Sequence, residues 1–162
     1  MAETPQALAF DVTQVEDSVG YLLSRSRTML SRSIDQALHQ LDITHAQGSI
    51  FMMLYMGKCR TAAELSRELF IDSAALKRTL DRLVDKDLVR RVANPADRRL
   101  FTLELTEAGQ AIAVQLPAIY RSVLDLALTG FTQEELGFLK CLLRKLLANR
   151  SLLDASDFSK LP

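Results

Sequence analysis

The stretch from Arg60 to Gly109 leaves this chain few folding options. At its centre, over 72–86, Leu76, Leu80, Leu83 and Val84 recur at i, i+4, i+7 and i+8. That spacing is the apolar stripe of a helix with one buried face. The other face carries Ser73, Lys77, Arg78, Asp81 and Arg82. Asp72 or Ser73 can cap the helix, because a side-chain oxygen there accepts from the orphan N–H groups of the first turn. A shorter helix precedes it, Thr61 to Leu69, with Thr61 and Glu64 spaced as a capping box. Only Phe70-Ile71 separates the two. Two short helices across a tight turn, the second one basic, have the form of a helix-turn-helix.

Two β-like runs come next, Leu88 to Val92 and Leu100 to Leu105. In the second, Phe101, Leu103 and Leu105 share one face, and Thr102 and Glu104 the other. Between the runs lies Ala93-Asn94-Pro95-Ala96-Asp97-Arg98-Arg99, a turn-rich loop tipped with two arginines. A hairpin after a helix-turn-helix is a wing. A helix fits the major groove of DNA, and a wing arginine fits the narrower minor groove.

The series Asn94-Pro95-Ala96-Asp97-Arg98-Arg99, then a strand, then Leu105-Thr106-Glu107-Ala108-Gly109, resembles the wing and following helix start of the multiple-antibiotic-resistance regulator (MarR) family. The resemblance runs from about Val15 to about Leu147. It implies a mainly α fold with a small β wing: a winged helix-turn-helix flanked by N- and C-terminal dimerisation helices. It also implies an obligate homodimer, a transcriptional regulator rather than an enzyme, and a repressor by default. On this reading 1–162 is a single domain, with the winged module at about 44–105 and dimerisation helices at about 13–41 and 106–150.

Charge distribution agrees, although the net charge of zero by itself argues against a nucleic-acid protein. From Lys58 to Phe101 there are eleven Lys/Arg against seven Asp/Glu, a local net of +4 that leaves −4 for the remainder. A basic module on an acidic body suits DNA. No run of 18 apolar residues and no basic-then-apolar leader is present, so a soluble, cytoplasmic chain without membrane contact is expected. Cys59 and Cys141 are isolated and read as buried small hydrophobes in a reducing compartment. No metal-ligand spacing, phosphate-cradling glycine loop or nucleophile–base arrangement appears, so neither cofactor nor metal is expected.

A long helix is expected from about Thr13 to Leu41, roughly 40 Å at 1.5 Å per residue. Its length places part of its stripe against another chain. Thr44 and Gln47 mark a second capping box, Gly57 ends that helix, and Lys58-Cys59-Arg60 can add a short strand to the wing sheet. After the wing, a helix from Thr106 to about Thr129 should bend or split at Pro117. Thr132 caps a last helix to about Asn149, whose face holds Leu136, Leu139, Leu142, Leu143, Leu146 and Leu147. A two-fold dimer would set two recognition helices roughly 34 Å apart and read a pseudo-palindrome. The alternative is a monomer that packs its leucines internally.

For DNA, the candidate residues are Ser73, Ala74, Lys77, Arg78 and Arg82 on the recognition helix, Arg98 and Arg99 on the wing, and Thr61 as a phosphate contact at a helix start. The resemblance implies that Asp97 organises the wing by pairing with a nearby arginine and makes Arg99 the stronger minor-groove candidate. Arg90 and Arg91 are read as solvated side chains. The resemblance further implies a small aromatic acid effector, such as a hydroxybenzoate, held where the first two helices and the helix after the wing meet the winged module. Candidate ligand residues are Arg25, Ser26, Arg27, His39, His45, Phe51 and Tyr55, with the arginines suited to a carboxylate. Solvent exposure or an ion pair across a dimer is the other reading of Arg25 and Arg27. Two other functions stay open, a thiol-responsive regulator and a winged-helix module that binds only proteins.

Overall fold

The computed structural model describes residues 14–94, 97–157 and 159, and at 94 and 97–100 the backbone alone. The chain divides into two compact units, the first ending at Ala127 and the second beginning at Leu128.

The first unit opens with a 3-10 turn, Val15–Asp17, followed by α1, Val19–Leu38. Ser18 separates them: its side chain accepts from the Tyr21 N–H and starts α1 afresh. A second 3-10 turn, His39–Leu41, closes α1, and Asp42 turns left-handed at φ 51°. The single helix expected over 13–41 is therefore three pieces, with α1 itself about 30 Å long; Thr13 lies outside the described residues. Thr44 and Gln47 form the expected capping box of α2, His45–Tyr55. Gly57, at φ 66°, ends the turn after it.

Next come α3, Ala62–Leu69, and α4, Ser73–Asp85. Thr61 and Glu64 make the reciprocal box at the start of α3, and Asp72 Oδ1 accepts from the N–H groups of Ala74 and Ala75 at the start of α4. Phe70 takes the left-handed turn between them at φ 54°. The wing is an antiparallel pair, β1 (Val89–Asn94) and β2 (Asp97–Leu105), in the register Val89–Leu105, Arg90–Glu104, Arg91–Leu103. A bulge falls between Ala93 and Asn94. No third strand forms at 58–60 among the described residues. The Leu103 N–H instead donates once, at 2.7 Å, to the Arg60 carbonyl, because the chain leaves that register at Thr61 to enter α3.

Two helices replace the one expected after the wing: α5, Glu107–Ala113, and α6, Leu116–Ala127. Pro117 lies in the first turn of α6, where its missing N–H has no intrahelical partner to lose. Leu38, Ile50, Phe51, Leu65, Leu76, Leu80, Leu83, Val89, Leu103, Leu105, Ala113 and Leu116 belong to one buried cluster drawn from all eight helices and strands of this unit. Phe101 shares the parity of Leu103 and Leu105 but is half exposed, beyond the reach of the helices.

In the second unit, Thr132 and Glu135 box the start of α7, Gln133–Ala148, and the short α8, Arg150–Asp154, comes after it. The leucine stripe of α7 is present, yet none of its residues is buried in the single chain, and Phe138, Leu142 and Leu147 are more than half exposed. Among the described residues no helix is long and apolar enough to cross a membrane.

One close approach holds the base of the wing to α5. A Cβ at Gly109 would collide with the Leu88 carbonyl oxygen, which also accepts the Thr106 N–H. Because the obstruction is backbone, it cannot swing aside. Gly109→Ala is therefore expected to destabilise the protein by about 1–3 kcal/mol, read as a lower urea midpoint at unchanged slope.

Candidate nucleic-acid interface

The core sets which side of α4 faces out. Leu76, Leu80 and Leu83 point inward, so Ala74, Arg78 and Arg82 stand on the opposite side, with Lys77 at its flank and Ser73 exposed at the helix start. Among the described residues, Lys77, Arg78 and Arg82 make no ion pair. Two exposed small residues occupy the first turn, and three cations follow within a span of six residues. Both the hydroxyl and the N–H of Thr61 are engaged with Glu64, whose carboxylate also accepts the Arg60 N–H at 2.7 Å. The bonds from Arg60 and Thr61 hold the Glu64 carboxyl below its ordinary pKa. The capping carboxylate of Glu64 thus sits at the helix start where Thr61 is expected to meet a phosphate.

The side chains of Asp97, Arg98 and Arg99 lie outside the described residues. Arg90 and Arg91 are not simply solvated, as the sequence suggested. Arg90 pairs with Glu104, its cross-strand neighbour, at 2.7 Å, and Arg91 pairs with Asp81 on α4. Sequence reading missed Asp81 as a partner. The available signal was parity: Arg91 shares a strand face with buried Val89.

A second fastening holds the other end of α4. Lys86 Nζ lies 2.6 Å from Asp42 Oδ2 and donates also to the Asp42 carbonyl at 3.2 Å. Lys86 accordingly holds the Asp42 carboxyl below its usual range. Around this pair, Asp35, His39, Arg82 and Asp85 line a cavity of about 680 Å³ between α1, α2 and α4.

The candidate ligand residues are not gathered into one crevice. Arg25 and Ser26 line a shallow groove along α1, where the Arg25 guanidinium lies 5.8 Å from the Tyr21 ring centroid. His39 borders the Asp42–Lys86 cavity. Phe51, expected as a pocket wall, is wholly buried in the core, where α2 packs against α1, α3, α5 and β2. Tyr55 is half exposed and borders a cleft of about 380 Å³ under the base of the wing, together with Leu54, Arg60, Arg90, Glu104 and Gln110. Arg60 has no ion pair there among the described residues.

His45 sits at the meeting of α1, α2 and α6. Its N–H donates to Asp35 Oδ1 at 2.6 Å, its Nδ1 lies 3.0 Å from Ser31 Oγ, and its ring meets Tyr120 edge-on. Burial pushes the imidazole pKa down; Asp35 opposes the shift and the positive charge of Arg27 adds to it. Burial also pushes the Tyr120 hydroxyl up to about 12. Ser49 lies beside that hydroxyl and restrains the rise, yet its own Oγ donates to the His45 carbonyl, and Tyr120 Oη has no well-formed hydrogen bond among the described residues. Gly48 makes room for it, since a Cβ there would strike the Tyr120 hydroxyl.

Cys59 is buried, as expected, and burial raises its thiol pKa, keeping it protonated and unreactive. Cys141 departs from expectation: it is exposed, as is most of α7 in the single chain.

A short helix, a tight turn, a basic second helix seated on a core and a two-stranded hairpin define a winged helix-turn-helix protein. The sequence profile of the MarR family matches residues 41–100. The chain is 36% identical over 130 residues to the multiple antibiotic resistance protein MarR of Escherichia coli strain K12, covering 80% of this chain and 90% of that one. It is 28% identical over 141 residues to the organic hydroperoxide resistance transcriptional regulator of Bacillus subtilis strain 168, covering 85% and 92%. A crystal structure of a cysteine-to-serine variant of E. coli MarR with operator DNA superposes with a TM-score of 0.76 at 33% identity, covering 85% of this chain and 99% of that one. This chain belongs to the MarR family, a family of transcriptional regulators and not of enzymes.

The His45 environment sets a pH dependence. Its folded pKa is depressed, so the unfolded chain takes the proton first as pH falls below the ordinary value of 6.5. Stability should be level well above that value and decline as pH falls through it toward about pH 5. His45→Gln should flatten the decline when urea midpoints are compared across that range.

Proposed function

We propose that the protein is a homodimeric, DNA-binding transcriptional repressor that acts in the cytoplasm and leaves its operator when a small aromatic acid binds. The observation that carries the reading is the outward row of Lys77, Arg78 and Arg82, without an ion pair among the described residues, on a helix whose other face is locked into the core. Such a helix enters the major groove with its first turn near base edges and its cations near phosphates. Ser73 supplies a hydroxyl, and the Ala74 methyl suits a thymine methyl. Arg98 and Arg99 follow the hairpin to the minor groove, with Asp97 orienting one of them. The relative solved on operator DNA supports this docking.

Dimerisation accounts for apolar side chains that the single chain leaves exposed, Val19, Leu22 and Leu23 on α1 and Phe138, Leu142 and Leu147 on α7. The segments at about 13–41 and 106–150 are thus the dimerisation helices, and 44–105 reads DNA. A two-fold pair of α4 helices, roughly 34 Å apart, reads a pseudo-palindrome.

The effector site is the cleft beneath the wing rather than the groove on α1. Tyr55 and Leu54 offer a ring face and an apolar wall, and Arg60 offers a guanidinium for a carboxylate. A ligand there would sit against β2 and α5 and favour a wing setting unsuited to DNA, lowering DNA affinity by linkage. A coupling of about 1–3 kcal/mol gives roughly 5- to 150-fold release.

Gel-shift titration on the gene's own upstream DNA, with and without hydroxybenzoates, tests both parts. Arg99→Ala should weaken binding and flatten the log–log salt dependence by about one unit; an unchanged slope with an intact fold removes the wing from the interface. Arg60→Ala should keep DNA affinity while losing relief by the acid.

A further inference from the structure

We propose that Asp81 is a positioning residue for DNA recognition, setting the angle between recognition helix and wing through Arg91. The role rests on the DNA reading above. Asp81 lies on the same outward side of α4 as Lys77 and Arg78, which come four and three residues before it. A carboxylate on a surface that meets a polyanion repels it. Lys77 and Arg78 are both within ordinary helical pairing distance of Asp81, yet its partner is Arg91, on the wing.

The strand register explains why Arg91 needs that partner. Residues directly opposite on an antiparallel pair share a face, so Arg91 stands with Leu103, and two residues away Val89 stands with Leu105. Val89, Leu103 and Leu105 are in the core. Arg91 therefore extends from the helix-facing side of the hairpin, and it reaches out along α4 to Asp81. A two-stranded hairpin is marginal alone, and past Arg91 its residues leave the core: Ala93 and Phe101 are exposed. The Asp81–Arg91 pair is the last described fastening between α4 and the hairpin before the tip that carries Arg98 and Arg99. On the opposite face, the Arg90–Glu104 pair stiffens the hairpin internally and does not tie it to α4. Helix and wing must enter adjacent grooves together, and small angular freedom at the base moves the tip by several times as much.

Positioning and simple electrostatics predict opposite signs. If Asp81 only repels phosphate, Asp81→Asn tightens DNA binding. If Asp81 positions the wing, Asp81→Asn weakens it about 3- to 5-fold, in line with a partly exposed ion pair, and the salt slope stays unchanged because no phosphate contact is lost. The experiment is fluorescence anisotropy on the protein's upstream DNA over a salt series, using wild type, Asp81→Asn, Arg91→Asp and the double swap Asp81→Arg with Arg91→Asp, with amide exchange of the hairpin measured on free protein. The expected result is weaker binding at constant slope for Asp81→Asn, faster hairpin exchange, and recovery of both in the swap relative to Arg91→Asp alone. Binding by Asp81→Asn that equals or exceeds wild type overturns the positioning role and leaves the DNA reading intact. Wild type that binds no duplex specifically overturns the DNA reading and this role with it.

Discussion

The seating of three leucines from α4 in the core is the contact on which the rest depends. Leu76, Leu80 and Leu83 are essentially buried. Removing three leucine side chains from water contributes roughly 5–9 kcal/mol, whereas a helix the length of α4 alone in water is marginal. The recognition helix thus exists because its inner face is packed, and the same packing decides which face is left for Lys77, Arg78 and Arg82. On the proposed reading, stability and DNA recognition share one helix and divide it lengthwise.

Around that contact the structure uses short polar fastenings at element ends. Thr44, Thr61, Asp72 and Thr106 each satisfy the first N–H groups of a helix, and such caps are worth about 1 kcal/mol each. Lys86 ties the far end of α4 to the corner between α1 and α2, and Arg91 ties the middle of α4 to the wing. Both pairs are partly exposed, so each adds little to stability. Their effect is on orientation: one relates α4 to the helices behind it, the other relates it to the hairpin beside it. On the proposed reading, a ligand that shifts either neighbour would have a direct mechanical route to α4.

Local signals were read well and pairings were not. Each capping box sat at its expected residues because it needs only a threonine and an acid or amide three places on. Pro117 split the helix after the wing because a proline lacks an N–H wherever it falls. By contrast, the break at Ser18 followed a side chain that could equally have sat mid-helix. Phe51 looked like a pocket wall because an apolar residue on a helix does not state whether its neighbour is a ligand or a leucine. Arg90 and Arg91 looked solvated because their partners lie 14 and 10 residues away in sequence, beyond any local pattern.

The sequence by itself determined the order of helices and hairpin over 61–105, the caps, the buried stripe of α4 and the motif at 94–99 and 105–109 that carries the family resemblance. These arise from backbone hydrogen bonding and periodicity, which act over a few residues. Tertiary structure alone decided that Arg91 meets Asp81, that Lys86 meets Asp42, that a cleft opens between Tyr55 and Arg60, and that His45 is buried against Tyr120. Those outcomes depend on which helix faces cross in space, and that is settled only when one core is shared by eight elements at once.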